Sequence, residues 1–165
     1  MRLTKPSRLF DCSSRKVRSH ALGKSPLVLA LASFLLTTAA AAQDPALVAK
    51  AQSGDPAAQN SLGDYYSALN TPEGYTQSAS WYRKAADQGY PKAQYSLGIA
   101  YCWHEGVPHD YVQAYVWLDI AIAGKVDDQN HWLNYAASHL TADQISQAQE
   151  QAKNWLQAHP EETAP

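Results

Sequence analysis

Residues Gly54–Tyr66 read GDPAAQNSLGDYY, and residues Gly89–Tyr101 read GYPKAQYSLGIAY. The second stretch starts 35 residues after the first, and Gly, Pro, Ala, Gln, Ser, Leu, Gly and Tyr recur in register. Self-similarity at a fixed period is the pattern of repeat proteins, whose similar units stack in a row. These two stretches therefore decide the fold, because a repeat constrains the architecture more strongly than local propensity does.

The residues after each stretch also match, now at an offset of 36. Tyr75, Ser78, Trp81, Tyr82 and Ala85 correspond to Tyr111, Ala114, Trp117, Leu118 and Ala121. Trp81 and Ala85 lie four residues apart, a spacing that places them on one face of a helix. The same spacing joins Ala58, Leu62 and Tyr66 in the first stretch. Each unit is therefore predicted to be a pair of helices.

Helix boundaries are marked by proline, glycine and one capping pattern. Pro56 and Pro91 each follow a Gly closely and suit the first helical turn, where a missing N–H costs nothing. Asp110, followed by Gln113, forms a capping-box pattern. Gly89 and Gly124 are predicted to end the second helices as residues that tolerate positive φ.

Two glycines inside the first helices need a separate explanation. Gly63 and Gly98 occupy matching positions, and a glycine in a helix interior costs about 1 kcal/mol relative to alanine. We therefore expect a neighbouring helix to approach closely at both positions.

The flanks of the two repeats predict atypical ends. We expect a short helix within 43–53 and, after Gly124, a third helix pair whose first member spans 127–139, with Trp132 and Tyr135 or Ala136 buried. Thr141–Gln144 is a second capping box, and the helix from Ala142 to about Ala158 has one apolar side. That side consists of Ile145, Ala148, Ala152, Trp155 and Leu156. A polar outer face on the last helix is typical of the cap that a repeat array requires. The predicted boundaries are about 54–88, 89–124 and 125–159.

The first 42 residues predict an export signal. Residues 1–24 contain seven basic residues and one acidic residue, and residues 26–42 contain no charged residue. A basic segment, an apolar core and the small residues Ala40–Ala42 are typical of a cleaved signal peptide of the Sec type. Cleavage after Ala42 would leave a domain over 43–165. An uncleaved anchor is the competing interpretation, at the lower edge of the length needed to span a bilayer.

The net charge of residues 43–165 argues against two classes of binding partner. Without residues 1–42, the chain has six basic and fourteen acidic residues, a net charge of −8. Nucleic-acid binding needs a basic surface to neutralise phosphates, and an acidic chain is repelled by anionic lipid. We expect neither nucleic acid nor, after signal cleavage, a membrane as a partner.

The cysteine and histidine residues do not form a recognisable catalytic or metal-binding motif. Cys102 alone remains after signal cleavage, so we expect no intramolecular disulfide and interpret it as an apolar filler. The string His104–His109, HEGVPH, is similar to a zinc-protease motif, but that motif needs two histidines four apart on one helix. A looser zinc site with Asp110 is an open alternative. Residues 43–165 contain no serine-nucleophile motif and no phosphate-binding loop. We therefore predict no catalytic residue, no metal and no cofactor.

The repeated run Ala-x3-Leu-Gly-x2-Tyr, the loop Glu105–Tyr111 (EGVPHDY) and Lys84–Gly89 (KAADQG) together resemble the Sel-one-like repeat family, relatives of the tetratricopeptide repeats. The resemblance covers about residues 51–124, and Leu140–Gln149 is similar to the helix that often closes exported members. His104 departs from the family pattern, which has Gly there, and the first repeat lacks the loop motif. The resemblance implies an all-α fold, an α-solenoid of antiparallel helix pairs, and a role in protein–protein interaction.

If the repeats stack as in that family, the first helices line a concave groove. Its predicted contact residues are the non-repeating positions on that face: Asn60, Asp64, Ser67, Lys92, Tyr95, Ile99 and Trp103. Tyr95, Ile99 and Trp103 lie four apart and form an aromatic–aliphatic stripe of the kind that anchors peptides. The same stripe could instead pack against the third helix pair.

The functional hypothesis is a non-catalytic adaptor. We expect a monomer in the periplasm of a Gram-negative-type cell that binds a protein or peptide partner in envelope complexes. The resemblance supports this function by analogy. Two hypotheses compete: a periplasmic hydrolase or metal-dependent enzyme, and a small-ligand or peptidoglycan-binding module. A stoichiometric bound metal would favour the enzyme.

Overall fold

A computed structural model of the chain describes residues 44–128 and 131–160; the predicted signal peptide over 1–42 lies outside them. Within the described residues the chain is helical and contains no strand. The helices are α1 (Pro45–Gln52), α2 (Pro56–Ala68), α3 (Pro72–Ala86), α4 (Pro91–Trp103), α5 (Tyr111–Ala123), α6 (Trp132–Ala137) and α7 (Ala142–Ala158). Helices α2 and α3 form the first repeat and α4 and α5 the second, with each helix packed on the next along the chain. The predicted all-α solenoid of helix pairs is confirmed.

The predicted helix starts are confirmed. Pro56 and Pro91 begin α2 and α4, and the Asp55 carboxylate accepts from the Ala58 amide at 2.8 Å. The Asp110 carboxylate caps α5 by accepting from the amides of Val112 and Gln113, at 2.9 and 3.1 Å. These bonds satisfy amides that have no partner within the helix.

The loop between the two helices of the first repeat is short and spans 69–71. Helix α2 continues to Ala68, and α3 begins at Pro72 under a cap by Thr71, whose hydroxyl accepts from the Gly74 amide at 3.0 Å. The reason lies at Gly74, which is buried. A Cβ atom there would stand 2.6 Å from the Tyr66 carbonyl oxygen, so the absence of a side chain permits the tight connection.

Of the two predictions for helix-ending glycines, one is confirmed and one is wrong. Gly89 has φ of 77°, as predicted, but Gly124 has φ of −75°, so the prediction of positive φ there is wrong. Lys125 adopts the left-handed conformation instead, with φ of 67°. Gly124 is required for close approach, because a Cβ atom would lie 2.8 Å from Cγ of Pro91.

Gly63 and Gly98 mark close helix contacts, as predicted. A Cβ atom on Gly63 would meet Cε1 of the Tyr82 ring at 2.5 Å, and one on Gly98 would meet Cγ of Leu118 at 2.7 Å. Both contacts join the two helices of one repeat. The unfavourable glycine propensity is therefore offset by packing between the helices.

Matching glutamines connect each repeat to the helix before it. The side-chain Nε2 of Gln59 donates to the Ala51 carbonyl at 3.1 Å, and that of Gln94 donates to the Ala86 carbonyl at 3.3 Å. Both glutamines are buried, and a buried amide is tolerated where it is hydrogen-bonded. This repeated bond sets the stacking of α2 on α1 and of α4 on α3.

The third pair differs from the prediction in its first helix. Helix α6 contains six residues, Trp132–Ala137, instead of a helix over 127–139. The Asp128 carboxylate accepts from the amides of Trp132 and Leu133 at 2.8 and 3.1 Å, which holds 126–128 outside the helix. Ala136 is buried, as expected, whereas Trp132 and Tyr135 are only half-buried.

Helix α7 has the predicted bounds and covers α5. The reciprocal bonds of its capping box, between Thr141 and Gln144, are both present. Ala148 and Ala152 are fully buried, and Trp155 meets Trp117 of α5 edge to face with ring centroids 6.0 Å apart. No helix among residues 44–128 and 131–160 is long and apolar enough to cross a bilayer.

Candidate partner-binding surface

The seven predicted groove residues separate into two groups. Asn60, Asp64 and Ser67 lie on α2; Lys92, Tyr95, Ile99 and Trp103 lie on α4. Tyr95 and Trp103 of the α4 group contact the third helix pair or the loop before it, whereas α2 belongs to the first repeat. The two groups therefore have different surroundings, although they occupy corresponding helices.

Trp103 is part of an aromatic cluster formed with the third pair. Its ring stacks on Tyr135 at 5.6 Å between centroids and meets Trp132 edge to face, also at 5.6 Å. Tyr135 in turn contacts Tyr111 at the start of α5. Aromatic pairs of this geometry stabilise packing. Trp103 therefore packs against the third helix pair, which is the second of the two interpretations of the aromatic–aliphatic stripe.

Tyr95 is also held by an intramolecular contact. Its hydroxyl donates to Asp128 Oδ1 at 3.0 Å, the same carboxylate that caps α6. Burial, together with the bond to Asp128 and the charges of Asp128 and Asp127, raises the pKa of the Tyr95 hydroxyl well above its usual value. Ile99 is half-buried and packs against the main core. Most of the α4 stripe therefore positions the third pair, and Lys92 alone of the α4 group is exposed.

The α2 group has a different environment, built around Asp64. The carboxylate of this exposed residue accepts from the Tyr82 hydroxyl at 2.7 Å and from Asn60 Nδ2 at 3.1 Å. Asn60 retains only 8% of its surface, and its Oδ1 has no hydrogen-bond donor among the described residues. Burial, and then the hydrogen bond and charge of Asp64, raise the pKa of the Tyr82 hydroxyl. We call Asn60, Asp64 and Tyr82 the polar triad.

Tyr82 was not among the predicted site residues, although the sequence contains a signal for it. Tyr82 aligns with Leu118, so the first repeat has a phenol where the second has an aliphatic side chain. Asn60 and Asp64 align in the same way with Tyr95 and Ile99. All three members of the polar triad therefore depart from the more apolar residues of the second repeat.

The residues with potential for catalysis are placed apart or buried. Cys102 is 2% exposed, and burial raises the pKa of its thiol to about 12, in agreement with its interpretation as a filler. His104 ends α4 in the left-handed conformation, and its Nδ1 accepts from the His109 amide at 3.1 Å. Within the part of the chain that the structure describes, no three His, Cys, Asp or Glu residues are grouped to hold a metal ion.

His131 and His139 are both exposed at the two ends of α6. The ring of His139 stacks on Tyr111 with centroids 4.1 Å apart, whereas His131 precedes α6 in the left-handed conformation. The two histidines thus have separate environments.

Comparison with known proteins bears on the fold and the family. The family model described as Sel1 repeat matches residues 56–90 and 91–125. A crystal structure of a protective antigen present in uropathogenic Escherichia coli strains, described as displaying an SLR fold, is similar with 34% identity and a TM-score of 0.60. The similarity covers 71% of this chain but 26% of that one, so the chain spans about a quarter of the antigen's length. No curated protein matches the sequence.

The Sel1 repeat fold is a helical scaffold that commonly mediates protein–protein interaction. The repeats of this family are non-catalytic. The matched residues coincide with helix pairs α2–α3 and α4–α5. Residues 56–125 of the chain are therefore two tandem Sel1 repeats.

Proposed function

We propose that the protein is a non-catalytic adaptor of the cell envelope that binds a partner protein along α2. The observation that supports this function is the contrast between the two repeats. Tyr95 and Trp103 of α4 contact the third helix pair. The α2 positions that correspond to Tyr95 and Ile99 hold Asn60, which is buried, and Asp64, which is exposed. A partner would then occupy the surface of the first repeat around Asp64, which the described helices leave exposed.

The location of the adaptor is inferred from the sequence of residues 1–42. A basic segment followed by an uncharged apolar segment is the pattern of an export signal. Mass spectrometry of the protein isolated from the envelope would test this part of the proposal. We expect a new N-terminus at Gln43, and an intact residue 1 in the envelope fraction would contradict signal cleavage.

Site-specific photo-crosslinking tests the proposed binding surface. We suggest placing a photoreactive amino acid at Ser61, which is exposed on α2 three residues before Asp64, and at Gln77, which is exposed on α3. Both positions accept a large side chain without entering the core. After irradiation in cells, mass spectrometry would identify the crosslinked protein, and the purified pair would then be tested for direct binding.

The proposal expects one defined partner from position 61, whose binding to the purified protein is weakened by Asp64→Lys. The same partner should crosslink poorly from position 77. Equal crosslinking from both positions, or direct binding that is insensitive to Asp64→Lys, would contradict α2 as the binding surface. Tyr95→Ala and Trp103→Ala are unsuitable for this test because both residues pack against the third pair.

A further inference from the structure

The polar triad holds a carboxylate that is oriented but lacks a cation. Asp64 accepts two hydrogen bonds, from Tyr82 at 2.7 Å and from Asn60 at 3.1 Å, and makes no ion pair with a described residue. An ionised carboxylate has about four acceptor sites, so half of its capacity remains for a ligand. The two donors fix the direction of the side chain before any ligand arrives.

Asn60 adds a second acceptor at the same place. Its Oδ1 is buried and has no donor among the described residues, while the Nδ2 of the same amide donates to Asp64. A buried acceptor without a donor is unfavourable. One side-chain amide thus contains a donor that Asp64 uses and an acceptor that no described residue uses. A ligand that brings several donors and a positive charge would complement both residues.

Comparison of the repeats indicates that the triad is not needed for helix packing. The second repeat has Tyr95, Ile99 and Leu118 at the corresponding positions and stacks with the same geometry of close glycine contacts. A buried polar group that packing does not require is more costly than an apolar one. Its presence in the first repeat therefore points to a ligand.

The charge of the chain favours a basic ligand. The described residues contain twelve acidic and six basic side chains, and a net negative field attracts a basic partner and increases its rate of association. We infer that Asn60 and Asp64 hold a lysine or arginine side chain of the partner protein, an inference that rests on the proposed function. The cation binds the acceptor positions of the Asp64 carboxylate that Tyr82 and Asn60 leave open.

Tri-lysine peptide is a suitable probe, with tri-glutamate as a control of equal length and opposite charge. Titration of the isotope-labelled protein would be followed by the side-chain amide resonances of Asn60. We expect saturable shifts with tri-lysine and none with tri-glutamate. Asp64→Asn keeps an acceptor for Tyr82 but removes the charge, and it should weaken tri-lysine binding about tenfold, the loss expected for one charge-assisted bond.

Asp87→Asn is the matched control, since Asp87 is also exposed and ends α3. It should leave tri-lysine binding unchanged. Equal weakening by the two variants would reduce the effect to general charge attraction and overturn the inference. So would wild-type binding without movement of the Asn60 resonances.

The outcome is separable from that of the crosslinking experiment. A partner captured from Ser61 that binds Asp64→Asn as tightly as wild type would leave the adaptor function in place and refute the cation contact. Tri-lysine binding at the triad without a partner crosslinked from Ser61 would support the cation site and contradict the adaptor surface.

Discussion

At the scale of single residues, the contacts between helices depend on side chains that are absent or small. Gly63 and Gly98 admit Tyr82 and Leu118 against the backbone of the facing helix. Tyr82 uses this approach to bring its hydroxyl to Asp64. The same residue thus joins the packing of the repeat to the polar triad, so a change at Gly63 should affect both.

Gly63→Ala tests this connection. The added Cβ would lie 2.5 Å from the Tyr82 ring, and overpacking of this kind costs about 1–3 kcal/mol, partly offset by the better helix propensity of alanine. We expect a net loss of about 1–2 kcal/mol in the free energy of unfolding, measured by urea denaturation. Ser61→Ala, on the exposed side of α2, should change it by less than about 0.5 kcal/mol. Equal effects would refute the packing role of Gly63.

Cys102 provides a prediction about pH. Burial raises the pKa of its thiol from 9.0 to about 12, so the folded protein holds the neutral thiol at pH 8. Because the thiolate is the reactive form, a disulfide reagent should react slowly with the folded protein and rapidly in denaturant.

The raised pKa also has a consequence for stability. Its contribution is fully present below about pH 9 and declines as the pH rises towards 12, since the unfolded chain releases the proton first. Urea denaturation at pH 8 and pH 10.5 would measure the decline, and Cys102→Ala should reduce it. Equally fast labelling of folded and unfolded protein would contradict the burial of Cys102.

At the scale of helices, the ends are fixed by short-range hydrogen bonds. Asp55, Thr71, Asp110 and Thr141 each cap a helix with a side-chain oxygen. Helix α4 begins without a side-chain cap. Helix α6 is capped from outside the usual position by Asp128, which also accepts from Tyr95. The length of α6 is therefore set by a contact between the second repeat and the third pair.

Thr141→Ala should weaken α7. The substitution removes the hydroxyl that accepts from the Gln144 amide at 3.3 Å, and loss of such a cap costs about 0.5–2 kcal/mol. The change should appear as a lower midpoint of urea denaturation. Thr76→Ala is the matched control, because Thr76 is exposed within α3, where alanine is a good helix former. If both variants have the same midpoint, the cap makes no contribution.

At the scale of the whole described domain, the two ends of the repeat array are covered by different helices. Helix α1 covers the N-terminal side of α2, where Ala51, Ala58 and Leu62 form a small buried cluster. Helix α7 covers α5, whose apolar side chains belong to the main core. Since one repeat cannot bury both of its faces, stability should depend on both ends.

Removal of α7 by truncation after Leu140 should therefore disrupt the array. Tyr115 and Trp117, now 7% and 5% exposed, would face solvent. We expect a large loss of cooperativity in thermal unfolding followed by circular dichroism, and binding of a hydrophobic dye. Truncation after Pro160 retains α7 and should melt as the full chain does. Similar melting of the two truncated chains would show that α7 is not a structural cap.

Much of the fold follows from the sequence because its causes are local or periodic. The proline starts, the caps at Asp110 and Thr141 and the glycines at 63 and 98 each depend on residues that lie within one repeat. The apolar spacing, copied 35 or 36 residues later, determines that helix pairs stack. The family and the all-helical class could be predicted for the same reason.

Only the tertiary structure decided which of the predicted surface residues stay open. Tyr95, Ile99 and Trp103 have the spacing of a binding stripe. In the fold, Tyr95 contacts the loop before α6, Trp103 contacts α6, and Ile99 packs against the main core. The short α6 and the negative φ of Gly124 likewise depend on contacts with distant residues, Tyr95 and Pro91. Helical spacing determines which side chains share a face, but what covers that face depends on residues far away in the chain, and these are brought together only by folding.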